Sequence, residues 1–152
     1  MSNLKDTINN DIKAAMKAKD QGALRALRAI KTAIMQLETS EGRDGASLSD
    51  DEGLKLITKQ AKQRRDSIEQ FRANGRNDLA DTEEEELKII ERYLPKQLSE
   101  DVIKAKVEAI IAETGASSMK EMGRVMGMAT KAMAGQADGK VIADMVKKAL
   151  MG

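Results

Sequence analysis

The position of the only proline, Pro95, constrains the fold of this chain more than any other feature of the sequence. Apolar residues recur at helical spacing on both sides of it. Proline fixes its own φ and disfavours the α region at the preceding residue, so a helix must end at Leu94. Ser99, followed by two acidic residues, supplies the N-cap and favourable dipole charges for a new helix. The sequence therefore predicts a short, stiff joint formed by Tyr93, Leu94 and Pro95.

The composition predicts helices on both sides of this joint. Hydrophobic residues make up 41% of the 152 residues and aromatic residues only 1%, so the core must be built from Ala, Leu, Ile, Val and Met. That set favours helices over strands, and no segment keeps an alternation of period two. We predict an all-α protein, with a helical module of about four helices over residues 1–94 and a small three-helix domain over residues 95–152.

The first helix carries a simple apolar pattern. Leu4, Ile8, Ile12 and Met16 follow one another in steps of four, which predicts a single buried stripe. In the fifth helix the pattern leaves open whether Val102 or Ile103 begins the buried face.

Two charged runs lie in the second half of the predicted amino-terminal module. Basic residues crowd the third helix between Lys59 and Arg76, and an acidic run, Glu83 to Glu86, lies in the fourth. Consecutive helical positions point about 100° apart, so the acidic run cannot converge on one metal ion. We interpret both runs as solvated helix faces.

The chain contains neither cysteine nor histidine. This excludes disulfides, thiolate sites and the usual general base and metal ligand, and we predict no catalytic residue, no metal and no cofactor. No apolar run approaches the ~20 residues of a membrane span, and the amino terminus lacks a secretory signal pattern. The sequence predicts a cytoplasmic protein that does not enter a membrane.

Gly123 and Gly127 lie one turn apart inside a predicted helix, where each costs roughly 1 kcal/mol relative to alanine. With Ala134 they form a bare strip that another backbone could approach closely. The sequence favours packing against a neighbouring helix and leaves a ligand surface open. Of the many methionines nearby, we expect only Met128 and Met151 to be exposed, the rest filling the core.

From Gly115 onward the chain holds six basic and three acidic residues. Single-strand nucleic-acid binders stack bases on aromatic rings, and this chain has one Phe and one Tyr. Any contact with RNA is therefore expected to involve phosphates and 2′-OH groups on a folded shape.

Four motifs, in order and at fixed spacing, resemble the YqeY family: Tyr93-Leu-Pro-x-Gln-Leu-Ser99, Gly115-Ala-Ser-Ser118, Met122-Gly-Arg-Val-Met-Gly127 and Gly135-x-Ala-Asp-Gly139. That family shares its carboxy-terminal part with the tail of the GatB component of the aspartyl/glutamyl-tRNA amidotransferase. The resemblance implies a helical amino-terminal module followed by a domain like the tail that helps this complex hold tRNA.

The resemblance also implies partners and site residues. The partners would be tRNA, and amidotransferase or tRNA-synthetase components. Any activity as a carbon–nitrogen ligase with glutamine as amido donor would need partner subunits. The positions carried over as facing RNA are Lys120, Arg124, Lys131, Gly135, Asp138, Gly139 and Lys140. Gln136 departs from the family pattern, because a basic residue is common at that place.

Three functions follow in order of preference. The first is a non-catalytic tRNA-binding or amidotransferase-accessory protein. The alternative is a protein-interaction adaptor that uses the Met-rich, Gly-lined carboxy-terminal helices. A free-standing enzyme is the least favoured.

Overall fold

The computed structural model of the protein describes residues 3–43 and 45–151; residues 1, 2, 44 and 152, which the predicted modules also include, lie outside these ranges. Every regular element within the described ranges is helical, which confirms the all-α prediction. The elements are α1 (Leu4–Ala18), α2 (Gln21–Glu38), α3 (Asp50–Ala73), α4 (Asn77–Glu91), α5 (Glu100–Thr114), a short 3-10 helix (Met119–Glu121), α6 (Met122–Ala132) and α7 (Gly139–Met151).

Short polar side chains and one glycine set several of these boundaries. The Asp20 carboxylate accepts a hydrogen bond from the Ala23 N–H (3.1 Å) at the start of α2, and the Ser99 hydroxyl accepts one from the Val102 N–H (3.3 Å) at the start of α5. Gly115 ends α5 with a φ of 71°, a left-handed conformation that favours glycine. These bonds satisfy backbone groups that a helix end leaves without partners.

The chain divides into two compact units, Met1–Leu94 and Pro95–Gly152. In the first unit, α1 packs on α2, and α4 packs on both α2 and α3. Its largest fully buried side chains are Ile8, Ile30, Ile34, Ile57 and Ile90. Isoleucine therefore dominates this core, as the low aromatic content requires.

The second unit has its own core among α5, α6 and α7, which all contact one another. Its fully buried side chains are Val107, Val125, Met133, Ile142 and Val146. Ile103 begins the buried face of α5 with 3% exposure, while Val102 is 42% exposed, which decides the alternative that the pattern left open.

The predicted stripe on α1 is wrong at its last position, because Met16 is 56% exposed while Ile8 and Ala15 are buried. Steps of four advance about 400° in an α-helix, so each step drifts by about 40° from the first residue. Three steps carry Met16 well away from Leu4. A step of seven, as from Ile8 to Ala15, advances about 700° and drifts by only about 20°, so it keeps to the core side.

The interpretation of the charged runs as solvated faces is wrong for part of each run, although Lys59, Glu84 and Glu85 are exposed as expected. Arg64 of α3 contacts both Glu83 (2.8 Å) and Glu86 (3.1 Å) of α4, and the Glu86 side chain is only 9% exposed. Closer to the turn between α3 and α4, Arg72 pairs with Asp81 (3.2 Å) and with Glu84 (2.6 Å). The two helices run antiparallel and neutralise each other along their contact.

Candidate nucleic-acid interface

The predicted RNA-facing residues lie in four consecutive segments of the second unit. These are the 3-10 helix (Lys120), α6 (Arg124 and Lys131), the turn that follows α6 (Gly135 and Asp138) and the start of α7 (Gly139 and Lys140). Val125, Ala129 and Met133 step along one side of this segment and are fully buried, so they fix which side of α6 faces the core. Before α6, the Glu121 carboxylate accepts hydrogen bonds from the backbone N–H groups of Ser117 (2.6 Å) and Ser118 (3.3 Å). These bonds fix the direction in which the chain enters the helix.

The opposite side of this segment holds Lys120, Gly123, Arg124, Gly127 and Lys131, all of them exposed; we call these five residues the α6 face. A Cβ atom added at Gly123 or at Gly127 would meet no atom within 4 Å. The two glycines therefore do not serve the packing of a neighbouring helix within the second unit. The sequence-based preference for internal packing is wrong.

The α6 face is basic, and the one acidic residue beside it along the chain is Glu121, whose carboxylate accepts hydrogen bonds from the Ser117 and Ser118 N–H groups. Among the described residues, neither Lys120 nor Lys131 forms an ion pair. The Arg124 guanidinium donates a long hydrogen bond (3.4 Å) to the Thr114 carbonyl at the end of α5. No aspartate or glutamate occurs between residues 122 and 137. The face therefore presents three cations beside a strip without side chains, and its net charge is positive.

The segment Gly135 to Gly139, one of the four motifs of the resemblance, makes hydrogen bonds inside the second unit. The Gly135 carbonyl accepts one from the Gln97 side-chain amide (2.7 Å), and the Gln136 carbonyl accepts one from the Leu98 N–H (2.9 Å). Gly135 has a φ of 73°, which favours glycine. These contacts hold the turn against the segment that follows Pro95 and give Gly135 a structural role.

Asp138 and Gly139 form the start of α7. The Asp138 carboxylate accepts a hydrogen bond from the Lys140 N–H (3.0 Å), and its carbonyl accepts one from the Ile142 N–H (3.1 Å). Gly139 is exposed, with nothing within 4 Å of an added Cβ. Asp138 thus caps α7, and the participation of this turn in RNA binding stays a prediction.

The joint residues Tyr93 and Leu94 pack against the hydrophobic core of the first unit, and Pro95 is exposed. The Tyr93 hydroxyl donates a hydrogen bond to the Asp11 carboxylate in α1. Burial, together with this bond, raises the pKa of Tyr93. The end of α4 is thereby fixed to α1.

Sequence reasoning missed a buried cluster of charges in the first unit. The Glu86 carboxylate of α4 contacts Arg25 of α2 (3.3 Å) as well as Arg64 of α3, so it joins three helices. The signal was present in the sequence, because a hairpin centred near Gly75 places the basic run opposite the acidic run. Each run taken alone resembles a solvated surface.

The part of the chain that the structure describes contains neither a candidate metal site nor a helix suited to span a membrane. No group of three or more His, Cys, Asp or Glu side chains there could hold a metal ion. No helix in the same ranges is long and apolar enough to cross a membrane.

Comparison with known proteins finds a family model that matches nearly the whole chain and relatives that match about two thirds of it. A family model described as Yqey-like protein matches residues 5–150. The protein named "Altered inheritance of mitochondria protein 41, mitochondrial" from Candida glabrata is 34% identical over 104 residues, which cover 66% of this chain and 57% of that protein. Its namesake from Lachancea thermotolerans is 38% identical over 110 residues, covering 70% and 57%. The matches thus span little more than half of these relatives.

The names of these relatives contradict the cytoplasmic location expected from the sequence. Both are named as mitochondrial proteins, and so is a relative from Saccharomyces cerevisiae that is 37% identical over 90 residues. The expectation rested on the lack of a secretory signal pattern and of an apolar span, and neither observation identifies a compartment.

Proposed function

The chain belongs to the Yqey-like protein family, and we propose that it is a non-catalytic RNA-binding protein that holds tRNA against the α6 face. In this proposal any link to the tRNA amidotransferase is that of an accessory that contributes RNA contacts, while the chemistry belongs to partner subunits. The resemblance of the carboxy-terminal motifs to the amidotransferase tail motivates tRNA as the RNA.

The single observation that supports the proposal most is the exposure of Gly123 and Gly127 beside Arg124 and Lys131. Two exposed glycines inside a helix lower its stability by about 2 kcal/mol in total relative to alanine. No contact within the second unit offsets this cost, since the Cβ positions are open. A partner whose backbone lies against the strip would offset it upon binding.

Charge favours a polyanion as that partner. The α6 face combines three basic side chains with no acidic one, so a second copy of the same face would bring like charges together. Phosphate groups would instead pair with Arg124 and Lys131, and arginine binds phosphate in a bidentate manner.

A protein-interaction adaptor is the second candidate, and one observation favours it. Met119, Met128 and Met151 of the second unit are 40%, 36% and 67% exposed, and exposed methionines adapt to varied apolar partners. The expectation that Met128 and Met151 alone would be exposed omitted Met119. In that case the exposed methionines would contact the partner, whereas Arg124 and Lys131 would contribute little to affinity.

Binding of the purified protein to bulk tRNA and to duplex DNA of equal charge, each at two salt concentrations, tests the proposal. We expect a preference for tRNA. The variant Arg124→Glu/Lys131→Glu should lose tRNA affinity by at least about tenfold, because two phosphate contacts become repulsive. The control Lys55→Glu/Lys59→Glu makes the same charge change at exposed positions of α3 and should retain most of the affinity.

Two results would overturn the proposal. One is undiminished tRNA affinity in the Arg124→Glu/Lys131→Glu variant with its helical circular dichroism intact. The other is weak binding to tRNA and DNA alike that disappears at the higher salt concentration, which would direct the search to protein partners.

A further inference from the structure

The α6 face has a shape that fits one class of RNA structure better than others. We propose that it docks on the shallow minor-groove side of an RNA double helix, with the sugar–phosphate backbone lying along Gly123 and Gly127. This inference rests on the proposed function and narrows its ligand from tRNA in general to double-helical stems.

The second unit lacks what single-strand binding requires. Residues 95–152 contain no Phe, Tyr or Trp, and Tyr93 is packed on the first unit. Proteins that bind single strands gain about 1–3 kcal/mol per base from stacking on aromatic rings. A face made of glycines and flexible cations cannot supply that stacking, so it is suited to a ligand whose bases are already stacked in a duplex.

The cations are arranged along one edge of the bare strip. Arg124 and Lys131 are seven residues apart, which places them about 10 Å apart along the helix axis and on nearly the same side of it. Lys120 precedes them from the 3-10 helix and is also exposed. A row of positive charges on one rigid helix can follow the phosphates of one strand, while the strip beside it contacts the riboses.

The geometry of the groove distinguishes RNA from DNA. The minor groove of A-form RNA is wide and shallow and displays 2′-hydroxyl groups, whereas that of B-DNA is about 6 Å wide, narrower than a helix of about 10 Å. Thr130 is exposed three residues after Gly127, and its hydroxyl can bond a 2′-OH. Close approach at the glycines brings that hydroxyl within reach of the ribose.

Fluorescence anisotropy with three labelled probes tests the inference. The probes are an RNA hairpin with a stem of about 16 base pairs, a DNA hairpin of the same sequence and an unstructured single-stranded RNA of the same length. We expect the RNA hairpin to bind at least about tenfold more tightly than the other two, since only it presents a shallow groove with 2′-OH groups.

Variants distinguish the contribution of the glycine strip to RNA affinity from that of the basic side chains. Gly127→Leu should lower affinity for the RNA hairpin by about tenfold without changing the salt dependence, because it blocks the strip and leaves the phosphate contacts unchanged in number. Arg124→Gln/Lys131→Gln should reduce the slope of log K against log salt by about 2. Ala14→Leu introduces the same side chain at an exposed site on α1 and should leave binding unaltered.

The outcomes distinguish this inference from the proposed function. Equal affinity for the RNA and DNA hairpins, tighter binding to single-stranded RNA, or full affinity in Gly127→Leu would overturn the inference. In each case tRNA binding that depends on Arg124 and Lys131 would still support the proposed function. Failure to bind the RNA hairpin and tRNA alike would overturn both.

Discussion

The Tyr93 hydroxyl at the end of α4 donates a hydrogen bond to the Asp11 carboxylate in α1, a residue 82 positions earlier in the chain. This bond connects the chain just after α4, the last helix of the first unit, to α1, its first helix. Tyr93 lies two residues before Pro95, where the second unit begins. Tyr93 also packs on the core of that unit with its ring. The only tyrosine of the chain thus has a structural role that needs both its ring and its hydroxyl.

We expect Tyr93→Phe to lower the free energy of unfolding by about 1–2 kcal/mol, because it removes a bond to a charged group and keeps the ring. Urea unfolding of Tyr93→Phe, Asp11→Asn and the double variant measures the coupling between the two side chains. Additive effects of the two single substitutions would contradict a direct interaction.

The raised pKa of Tyr93 predicts a loss of stability in alkaline solution. Burial and the bond to Asp11 favour the neutral phenol, so the stabilisation is fully present below the unfolded-state pKa of about 10 and is lost as pH rises above it. Lysines titrate in the same range. The measurement is therefore the difference in unfolding free energy between the native protein and Tyr93→Phe, which should shrink from pH 8 to pH 11.

Glu86 and Glu84 lie two residues apart in one acidic run but differ in environment. We expect Glu86→Ala to destabilise the protein by about 3 kcal/mol, because it leaves the half-buried Arg64 without one of its two carboxylate partners. Glu84→Ala should cost less than about 1 kcal/mol, since its pair with Arg72 is exposed. Thermal unfolding followed by circular dichroism compares the two variants. Similar losses would show that burial of Glu86 has no energetic effect.

Much of the fold could be predicted because its signals are local. Ser49, Asp20 and Ser99 cap helices through bonds to residues three positions away, and Pro95 acts on its immediate neighbour. The pairing of Arg64 with Glu86 joins positions 22 residues apart and depends on how two helices align. The sequence reveals that alignment only when α3 and α4 are placed as a hairpin around Gly75, and not when each helix is considered alone.

The candidate site residues came from the resemblance to the YqeY family, and their role in RNA binding stays a prediction. That resemblance supplied Lys120, Arg124 and Lys131 but not the surroundings of these side chains. Whether Gly123 and Gly127 face a neighbouring helix or solvent depends on which side of α6 the core occupies. The burial of Val125 and Ala129 shows which side of α6 faces the core. That burial depends on contacts with the other helices of the second unit.

The capping box of α3 predicts a loss of stability in acid. The Glu52 carboxylate accepts a hydrogen bond from the Ser49 N–H (3.1 Å) and pairs with Arg43, and these contacts, that to Ser49 foremost, lower the pKa of Glu52. A lowered pKa gives stabilisation that is present above the unfolded-state value of about 4.3 and is lost as pH falls below it.

Glu52→Gln tests this directly, because glutamine can still bond the Ser49 N–H but carries no charge. We expect its melting temperature to be lower than that of the native protein at pH 7 and nearly equal at pH 3. Asp51→Asn serves as the control, since Asp51 is exposed in the same helical turn. An equal deficit of Glu52→Gln at both pH values would contradict the assigned role of the charge.

The glycines of the second unit should respond to alanine substitution in opposite directions. Gly123→Ala and Gly127→Ala should each raise the free energy of unfolding by about 0.5–1 kcal/mol, because both lie in α6 and the added methyl group meets open space. Gly115→Ala and Gly135→Ala should each lower it by about 1 kcal/mol or more, since their φ angles of 71° and 73° strain a residue with a Cβ. The urea midpoints of the four variants measure these changes, provided that the slope of unfolding free energy against urea concentration stays the same.

A loss of stability at Gly123 or Gly127 would mean that the strip is packed within the free protein. A gain would mean that these two glycines lower the stability of the free protein, as expected if they serve a partner.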